Sequence, residues 1–334
     1  MLKCTRINIF KGGIADIMED FGFVTSFALI SNLEGLAKEY SVIGEQRLLE
    51  LCEIAREVAL RSEALFSEGL SPYEVLSVIS ESLNFGVYSL SELNSSENSD
   101  ALQTSLGTLS MIDKAIFAGL YISELHGLGV RLPESEFLDE GNRAETFTYV
   151  RNAFSDEAYD VFSQDFADPR LKYSSSFKEC VSLIEAGEIT YCLLPLEERG
   201  GVRLPSIAEL LFRNDLKINS VTPVFGPDGT ADMKYALVSK HFTIPKRNSE
   251  DDRYLELRLG AMQSFSLGEL LFVLDYFSMS VYRVNTISFD NEGETDTYYS
   301  LVIRDGKDGF VPLLTYLTLF CEDFVPVGIY KNLE

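Results

Sequence analysis

A polar, glycine-bearing loop in the middle of the chain has the residue types best suited to chemistry. Its members that could contact a ligand are Glu197, Glu198, Arg199 and Gly200. The loop, Pro195–Gly201, comes directly after the apolar run Thr190–Leu194, which is typical of a buried strand. Ligands of open α/β sheets bind at the carboxyl ends of strands, and an arginine there can pair with a carboxylate. The pattern therefore predicts a site for a small acid; a solvated surface turn is the competing interpretation.

A second set of polar residues follows the strand-like run Thr146–Val150. It consists of Arg151, Asn152 and Ser155. Because parallel strands end at the same edge of a sheet, we expect Arg151 to lie near Arg199. Lys234, at the start of a later strand, is a further candidate ligand-binding residue, and whether it converges with them on one pocket stays open. Three converging cations would bind a carboxylate.

A third candidate site is the start of a predicted helix late in the chain, Gly268-Glu269-Leu270. The free backbone N–H groups of a helix N-terminus can bind a carboxylate, so Gly268, Glu269 and Leu270 are candidate ligand-binding residues. The alternative, in which Gly268 only permits a tight turn, stays open.

Composition excludes several kinds of partner and cofactor. A net charge of -24 over 334 residues opposes binding to nucleic-acid phosphates. His126 and His241 are the only histidines and the five cysteines lack metal-type spacing, so we predict no metal and no cofactor. No apolar run approaches the ~20 residues that cross a bilayer, and the first residues lack a signal-peptide pattern. We predict a cytoplasmic protein with reduced thiols and no membrane partner.

Residues 1–140 have mainly helical periodicity and form the first predicted region. Its predicted elements are a strand at Cys4–Ile9, a helix starting at Ser71 and Pro72, a loop at Ser91–Asp100 and a helix at Ser105–Leu125. The acidic, turn-prone stretch Pro133–Arg143 predicts a domain boundary. We expect the helical region to be a helical partner or dimer surface.

Residues 145–245 alternate between strand and helix patterns, which predicts a small, mainly parallel α/β domain. The predicted strands are Thr146–Val150, Leu171–Ser174, Thr190–Leu194, Lys217–Val224 and Lys234–Ser239. The predicted helices include Ser155–Phe162, with Ser155 as N-cap, and Phe177–Ala186.

Residues 252–334 have the order β-α-β-β-α-β, which is that of a ferredoxin-like sandwich. The predicted elements are Tyr254–Leu259, Leu267–Phe277, Val281–Ser288, Tyr298–Arg304, Phe310–Phe320 and Val325–Tyr330. The chain is thus expected to combine α/β and α+β architecture behind an N-terminal helical region.

The segment Ser176–Val224 resembles part of the prephenate dehydratases, in which a helix, a glycine turn and an apolar strand precede Pro-Ile-Glu-Asn-Ser. Here that motif reads Pro195-Leu196-Glu197-Glu198-Arg199. Residues 252–334 resemble the amino-acid-sensing ACT domain that commonly follows such enzymes, and Pro326-Val327-Gly328-Ile329-Tyr330 is similar to its Leu-Gly-x-Tyr ending. The resemblance implies a periplasmic-binding-protein-like domain, an ACT-like domain and a place in aromatic amino-acid metabolism, in L-phenylalanine biosynthesis.

The motifs that the resemblance associates with catalysis are altered in this chain. Arg151–Ser155 is shorter than the family's first glycine loop, and Glu198 and Arg199 replace Asn and Ser of the second. The nearest match to the signature Thr-Arg-Phe is Lys234–Ser239, which keeps none of the three residues. The family's second lobe is missing between Val224 and Lys234.

We therefore predict no catalytic residue and a protein that binds a small carboxylate or amino acid as a regulator or sensor. Side-by-side pairing of ACT-like sheets predicts a homodimer. Two alternatives stay open. One is an active dehydratase, converting prephenate to phenylpyruvate, whose catalytic residues are displaced. The other is an acidic protein-interaction module that has no small-molecule ligand.

Overall fold

The computed structural model describes residues 27–85, 110–141, 144–226, 229–246, 252–260, 267–291, 294–321 and 324–331. Its contacts divide the chain into two compact units, Met1–Glu53 and Ile54–Glu334. The packing described below is that of the second unit. The predicted strand Cys4–Ile9 and the predicted loop Ser91–Asp100 lie outside the described residues.

The described part of the N-terminal region is helical, as predicted. Its described helices are α1 (Phe27–Ser67), α2 (Pro72–Phe85) and α3 (Met111–Gly127), followed by a 3₁₀ turn at Glu134–Glu136. The predicted start of α2 is confirmed, and Ser71 and Glu74 exchange capping hydrogen bonds there. Helix α3 begins later than the predicted Ser105, because Ser110 caps it in a capping box with Asp113. Among the described residues, every helix is too short or too polar to cross a membrane.

The α/β half contains the predicted strands and helices with adjusted ends. Its strands are β1 (Thr146–Val150), β2 (Arg170–Ser174), β3 (Tyr191–Glu198), β4 (Val202–Arg203), β5 (Lys217–Phe225) and β6 (Ala231–Ser239). Its helices are α4 (Ala153–Phe162), α5 (Phe177–Glu185) and α6 (Pro205–Arg213). Strands β2, β1 and β3 are parallel, and β6 and β5 continue the sheet in antiparallel pairs.

Two predicted boundaries in this half are wrong. Asn152, not Ser155, is the N-cap of α4: the Asn152 side chain accepts from the Ser155 N–H, and the Ser155 hydroxyl accepts from the Asn152 N–H. Both residue types favour caps, and the reciprocal pair places the serine three residues inside the cap. Strand β3 runs to Glu198 rather than ending at Leu194. Pro195 did not end it because Pro195 lies at a β-bulge, where a missing N–H is tolerated.

The C-terminal half has the predicted β-α-β-β-α-β order. Its elements are β7 (Arg253–Gly260), α7 (Leu267–Tyr276), β8 (Ser280–Asn291), β9 (Glu294–Arg304), α8 (Val311–Phe320) and β10 (Phe324–Lys331). The strands lie in the order β10-β7-β9-β8, and every pair among them is antiparallel. This is the strand order of a ferredoxin-like sandwich, so the predicted fold class is confirmed.

The sheets of the two halves join into one. Strand β10 pairs in parallel with β5, with Gly328 opposite Ile218, and the described strands follow the order β2-β1-β3-β6-β5-β10-β7-β9-β8. Strand β4 pairs with β3 outside this path. The predicted division into domains at 145–245 and 252–334 stays a prediction, but a continuous sheet crosses it.

Helices cover one face of the C-terminal part of the sheet. Leucines of β7 pack with α7 and α8, and α3 contributes Ala115 and Ala118 to the same core. Arg253, at the start of β7, donates two hydrogen bonds to Glu134, at 2.8 and 2.7 Å, and one to Asp305. The buried Arg253–Glu134 pair therefore ties the segment after α3 to the sheet.

Gly328→Ala tests the junction between the two halves of the sheet. A Cβ at Gly328 would lie 2.7 Å from the Ile218 Cβ and 2.9 Å from the Ile218 carbonyl oxygen, so the two strands would have to separate. We expect the free energy of unfolding to fall by about 1–3 kcal/mol in urea denaturation. The control is Gly127→Ala at the end of α3, where an added Cβ has nothing within 4 Å. Equal effects of both changes would contradict the close approach of β5 and β10.

Candidate functional site

The predicted ligand loop is mostly strand in the structure. Strands β3 and β4 form a hairpin in which Glu197 lies opposite Arg203. Only its tip, Arg199–Gly201, is a turn, and Gly200 and Gly201 adopt φ angles of 86° and 77° that favour glycine. Glu197 and Arg203 therefore lie on regular strands of the hairpin and face the part of the protein that packs against it.

The hairpin packs against the C-terminal part of the sheet, on the face opposite to the one that α7 and α8 cover. Glu197 is 4% exposed, and one of its carboxylate oxygens forms an ion pair with Arg283 of β8. Burial alone would lower the pKa of the Arg283 guanidinium, but the adjacent Glu197 raises it overall. The second carboxylate oxygen, Oε2, is buried without a hydrogen-bond partner among the described residues. A cavity of about 20 Å³ beside this pair is also lined by Lys234.

A second buried ion pair joins Arg203 of the hairpin to Glu256 of β7. Both side chains are about 5% exposed or less. Glu256 also accepts hydrogen bonds from Ser300, at 2.9 Å, and from the Tyr330 hydroxyl, at 3.2 Å. Burial and the Glu256 carboxylate both hold the pKa of Tyr330 well above its ordinary value, so the hydroxyl keeps its proton. The Glu256 carboxylate is thus fully engaged.

Arg203 is only partly engaged. Its Nη2 contacts Glu256, whereas its Nε and Nη1 are buried and have no hydrogen-bond partner among the described residues. Arg203 lines a second cavity of about 20 Å³, between α6 and the sheet. Buried guanidinium N–H groups normally donate to an acceptor. Among the described residues, these two nitrogens are therefore the clearest sign that a hydrogen-bond acceptor is missing.

The same cavity contains Arg258 of β7. Its guanidinium carbon lies 4.1 Å from the centre of the Phe212 ring and 5.7 Å from that of Tyr298. The two rings are stacked with 5.6 Å between their centres. Burial lowers the pKa of Arg258, which has no ion pair among the described residues. Aromatic faces contact this cation, and the Asp215 carboxylate partly opposes the effect of burial on its pKa.

The predicted site residues lie in several places. Arg151 forms a salt bridge of 3.4 Å with Asp156 and stacks over Tyr173. Arg199 contacts Asp232 and the Thr230 hydroxyl near the tip of the hairpin. Convergence of Arg151, Arg199 and Lys234 is therefore not seen in their contacts.

The remaining predicted residues have structural surroundings of their own. Asn152 and Ser155 cap α4, and Asn152 also accepts from the Tyr235 hydroxyl at 3.4 Å. Glu198 is exposed, and Gly200 forms the turn. At the start of α7, Leu270 is buried in the core and Glu269 is half-buried, and neither lines the hairpin cavities. Whether Gly268 binds a ligand stays a prediction.

The residues that the sequence did not single out are Arg203, Glu256, Arg258 and Arg283. In β7, Leu255, Leu257 and Leu259 alternate with Glu256 and Arg258, a pattern typical of a strand with one face in water. Nothing local distinguishes such a face from one covered by a hairpin. The sequence contained only a weak signal. Glu256, Arg258 and Arg283 are charged residues on strands whose other side chains contribute to the core.

A larger groove of about 390 Å³ lies at the other end of β3, lined by Lys240 and His241 among others. His241 contacts Asp139 at 2.7 Å, and Lys240 donates to the Asn214 carbonyl oxygen at 2.8 Å. Its described lining residues contain no buried side-chain atom that lacks a partner. This groove therefore ranks below the hairpin as a binding site.

The described part of the chain contains no cluster of three or more His, Cys, Asp or Glu residues able to hold a metal ion. The described free cysteines are Cys52, Cys180, Cys192 and Cys321.

No known protein family and no curated protein matches this chain. Among solved structures, the prephenate dehydratase of Streptococcus mutans is similar over 57% of this chain and 100% of its own, at 12% identity and a TM-score of 0.45. GqqA, described as a novel type of quorum quenching acylase, is similar over 57% and 96%, at 19% identity and a TM-score of 0.42. The prephenate dehydratase of Arthrobacter aurescens in complex with L-Phe is similar over 55% and 89%, at 14% identity and a TM-score of 0.39. At such low identities and TM-scores, the function has to be argued from the residues of the chain.

Glu197→Gln should destabilise the chain, because it removes the charge that pairs with the largely buried Arg283 guanidinium. We expect the free energy of unfolding to fall by about 3 kcal/mol, measured by urea denaturation. The matched control is Glu198→Gln, an exposed neighbour for which we expect a change within about 0.5 kcal/mol. If the two variants were equally stable, the Glu197–Arg283 pair would contribute nothing to holding the hairpin.

Proposed function

We propose that this chain is a prephenate dehydratase-like protein that has lost the dehydration reaction and binds a small carboxylate as a regulator or sensor. The observation that carries the proposal is the burial of Glu197 in an ion pair with Arg283 of the C-terminal half. Glu197 is the acidic residue that the chain shares with the Pro-Ile-Glu-Asn-Ser motif. In this chain it holds two parts of the protein together.

The chemistry of dehydration supports the loss. Removing hydroxide and carbon dioxide from prephenate needs a proton donor at the hydroxyl and cations at two carboxylates. In the segment matching the motif, Glu197 is paired with Arg283 and Arg199 with Asp232, while Glu198 is exposed. The charged residues of the segment are thus committed to contacts within the protein or face solvent.

Binding of an acid is supported by the arginines beside the hairpin. Arg203 has two buried guanidinium nitrogens without a partner among the described residues, and Arg258 packs on aromatic rings without a described ion pair. A sensor role fits their location, because the hairpin connects the α/β half to the ferredoxin-like half that resembles an ACT domain.

Homodimer formation is part of the proposal. Strand β8 is the last of the described strands in the sheet order, and its Tyr282 and Val284 side chains are 52% and 41% exposed. A terminal strand with exposed apolar side chains is suited to pairing with a second copy.

The absence of dehydratase activity is testable directly. Prephenate incubated with the full chain should yield phenylpyruvate, followed by its absorbance in alkali, only at the spontaneous rate for that pH. A working prephenate dehydratase serves as the positive control. A rate that increases in proportion to the concentration of this protein would contradict the loss and favour the active-enzyme alternative.

Ligand binding is the second part of the test. Calorimetric titration of the full chain with prephenate, chorismate, phenylpyruvate and the aromatic and branched-chain amino acids should give a saturable heat for at least one of them. If every titration is silent, the small-acid proposal fails and a protein-interaction role replaces it.

A further inference from the structure

The interface between the hairpin and the sheet contains more positive than negative charge. Within it, the cavity between α6 and the sheet is lined by Arg203, Arg258 and Glu256. Lys217 and Asp215 also line this cavity and pair with each other at 2.6 Å, so one positive charge is left over. The cation in excess is Arg258, which is half-buried and has no ion pair among the described residues. Burying a charge costs free energy that a paired counter-charge offsets.

Unsatisfied donors lie in the same place as the excess charge. Arg203 is about nine-tenths buried, and its Nε and Nη1 have no partner among the described residues. The Asn285 Nδ2 atom is also buried without a partner, and Asn285 lies directly opposite Ser300 in the β8–β9 ladder. Ser300 lines the cavity and donates to Glu256. The unmatched atoms at or beside this cavity are donors, so what is lacking there is an acceptor; the unmatched acceptor, Glu197 Oε2, belongs to the lining of the other cavity.

We propose, building on the proposed function, that the cavity between α6 and the sheet binds a monocarboxylate that has no charged amine. The carboxylate accepts from Nε and Nη1 of Arg203, and Arg258 supplies the second cation. One negative charge cancels the excess. A zwitterionic amino acid adds no net charge and a dicarboxylate adds one too many, so both are disfavoured.

The dimensions of the cavity decide how the ligand lies. The enclosed space is about 20 Å³, close to the room that one water molecule needs. A whole carboxylate is larger than this space, so it enters only when a lining side chain moves aside, and the apolar remainder lies along the groove formed by Leu211, Ile287 and Val327. Arg258 is the lining side chain that can move aside. It stacks on aromatic rings and has no ion pair among the described residues.

Three probes that share one benzyl group separate these charge types. 3-Phenylpropionate is L-phenylalanine without its amine, and benzylmalonate replaces that amine with a second carboxylate. In calorimetric titrations of the full chain at constant ionic strength, we expect 3-phenylpropionate to bind about tenfold or more tightly than the other two. Equal or tighter binding of L-phenylalanine or benzylmalonate overturns the inference and leaves the proposed function intact.

Variants locate the site. Arg258→Gln should weaken binding of 3-phenylpropionate about tenfold or more, and Arg203→Gln should weaken it further if the variant folds, as judged by its circular dichroism. The control is Arg213→Gln on the same helix α6, whose guanidinium pairs with Glu209 at the surface; it should bind within twofold of the unchanged protein.

Two other outcomes distinguish the failure of this inference from the failure of the proposed function. Unchanged affinity in Arg258→Gln, or loss of affinity in Lys234→Gln instead, would place the ligand elsewhere and overturn the inference alone. If the unchanged protein binds none of the three probes and none of the acids and amino acids named above, both the inference and the proposed function fail.

Discussion

Two buried ion pairs, Glu197–Arg283 and Arg203–Glu256, join the β3–β4 hairpin to the polar face of the C-terminal sheet. Each pair has one partner on the hairpin and one on a strand of the ferredoxin-like half. Because Glu197 and Arg203 lie opposite each other in the hairpin, the two pairs act on one rigid element. The neighbouring cavities, the exclusion of water and the position of Arg258 all depend on this contact.

Burying these ion pairs attaches the hairpin to the sheet, but it also costs free energy. Removing a carboxylate and a guanidinium from water costs several kcal/mol for each ion, and the attraction between them offsets that cost only with good geometry and further hydrogen bonds. Glu256 meets this condition through Ser300 and Tyr330. Arg203 does not, since two of its nitrogens lack a partner among the described residues. These unmatched donors are the reason that we propose binding of an acid at the cavity that Arg203 lines.

The sequence predicts the elements of this fold well and their packing poorly. Strands such as Thr146–Val150 and helices such as α8 follow from apolar periodicity, which is a local property. The β3–β4 hairpin was missed because Pro195 normally marks the end of a strand, whereas here it occupies a bulge. The arginine cluster was missed for a different reason. Its members lie on β4, β7 and β8, and only the fold of the whole sheet brings them to one interface.

A single strand, β7, connects the hairpin contact to the helical layer. Strand β7 carries Glu256 on the face towards the hairpin, and Leu255 and Leu257 on the face that packs with α7 and α8. Since successive side chains of a strand point to opposite faces, a shift of β7 caused at Glu256 must also move the leucines against the helices. An acid that accepts hydrogen bonds from Arg203 would strengthen the contact between hairpin and sheet, and the closely packed core would pass the change to the helical layer. Coupling of this kind requires only that the ligand prefer one of two packings of the hairpin, and the partly satisfied Arg203 provides a reason for such a preference.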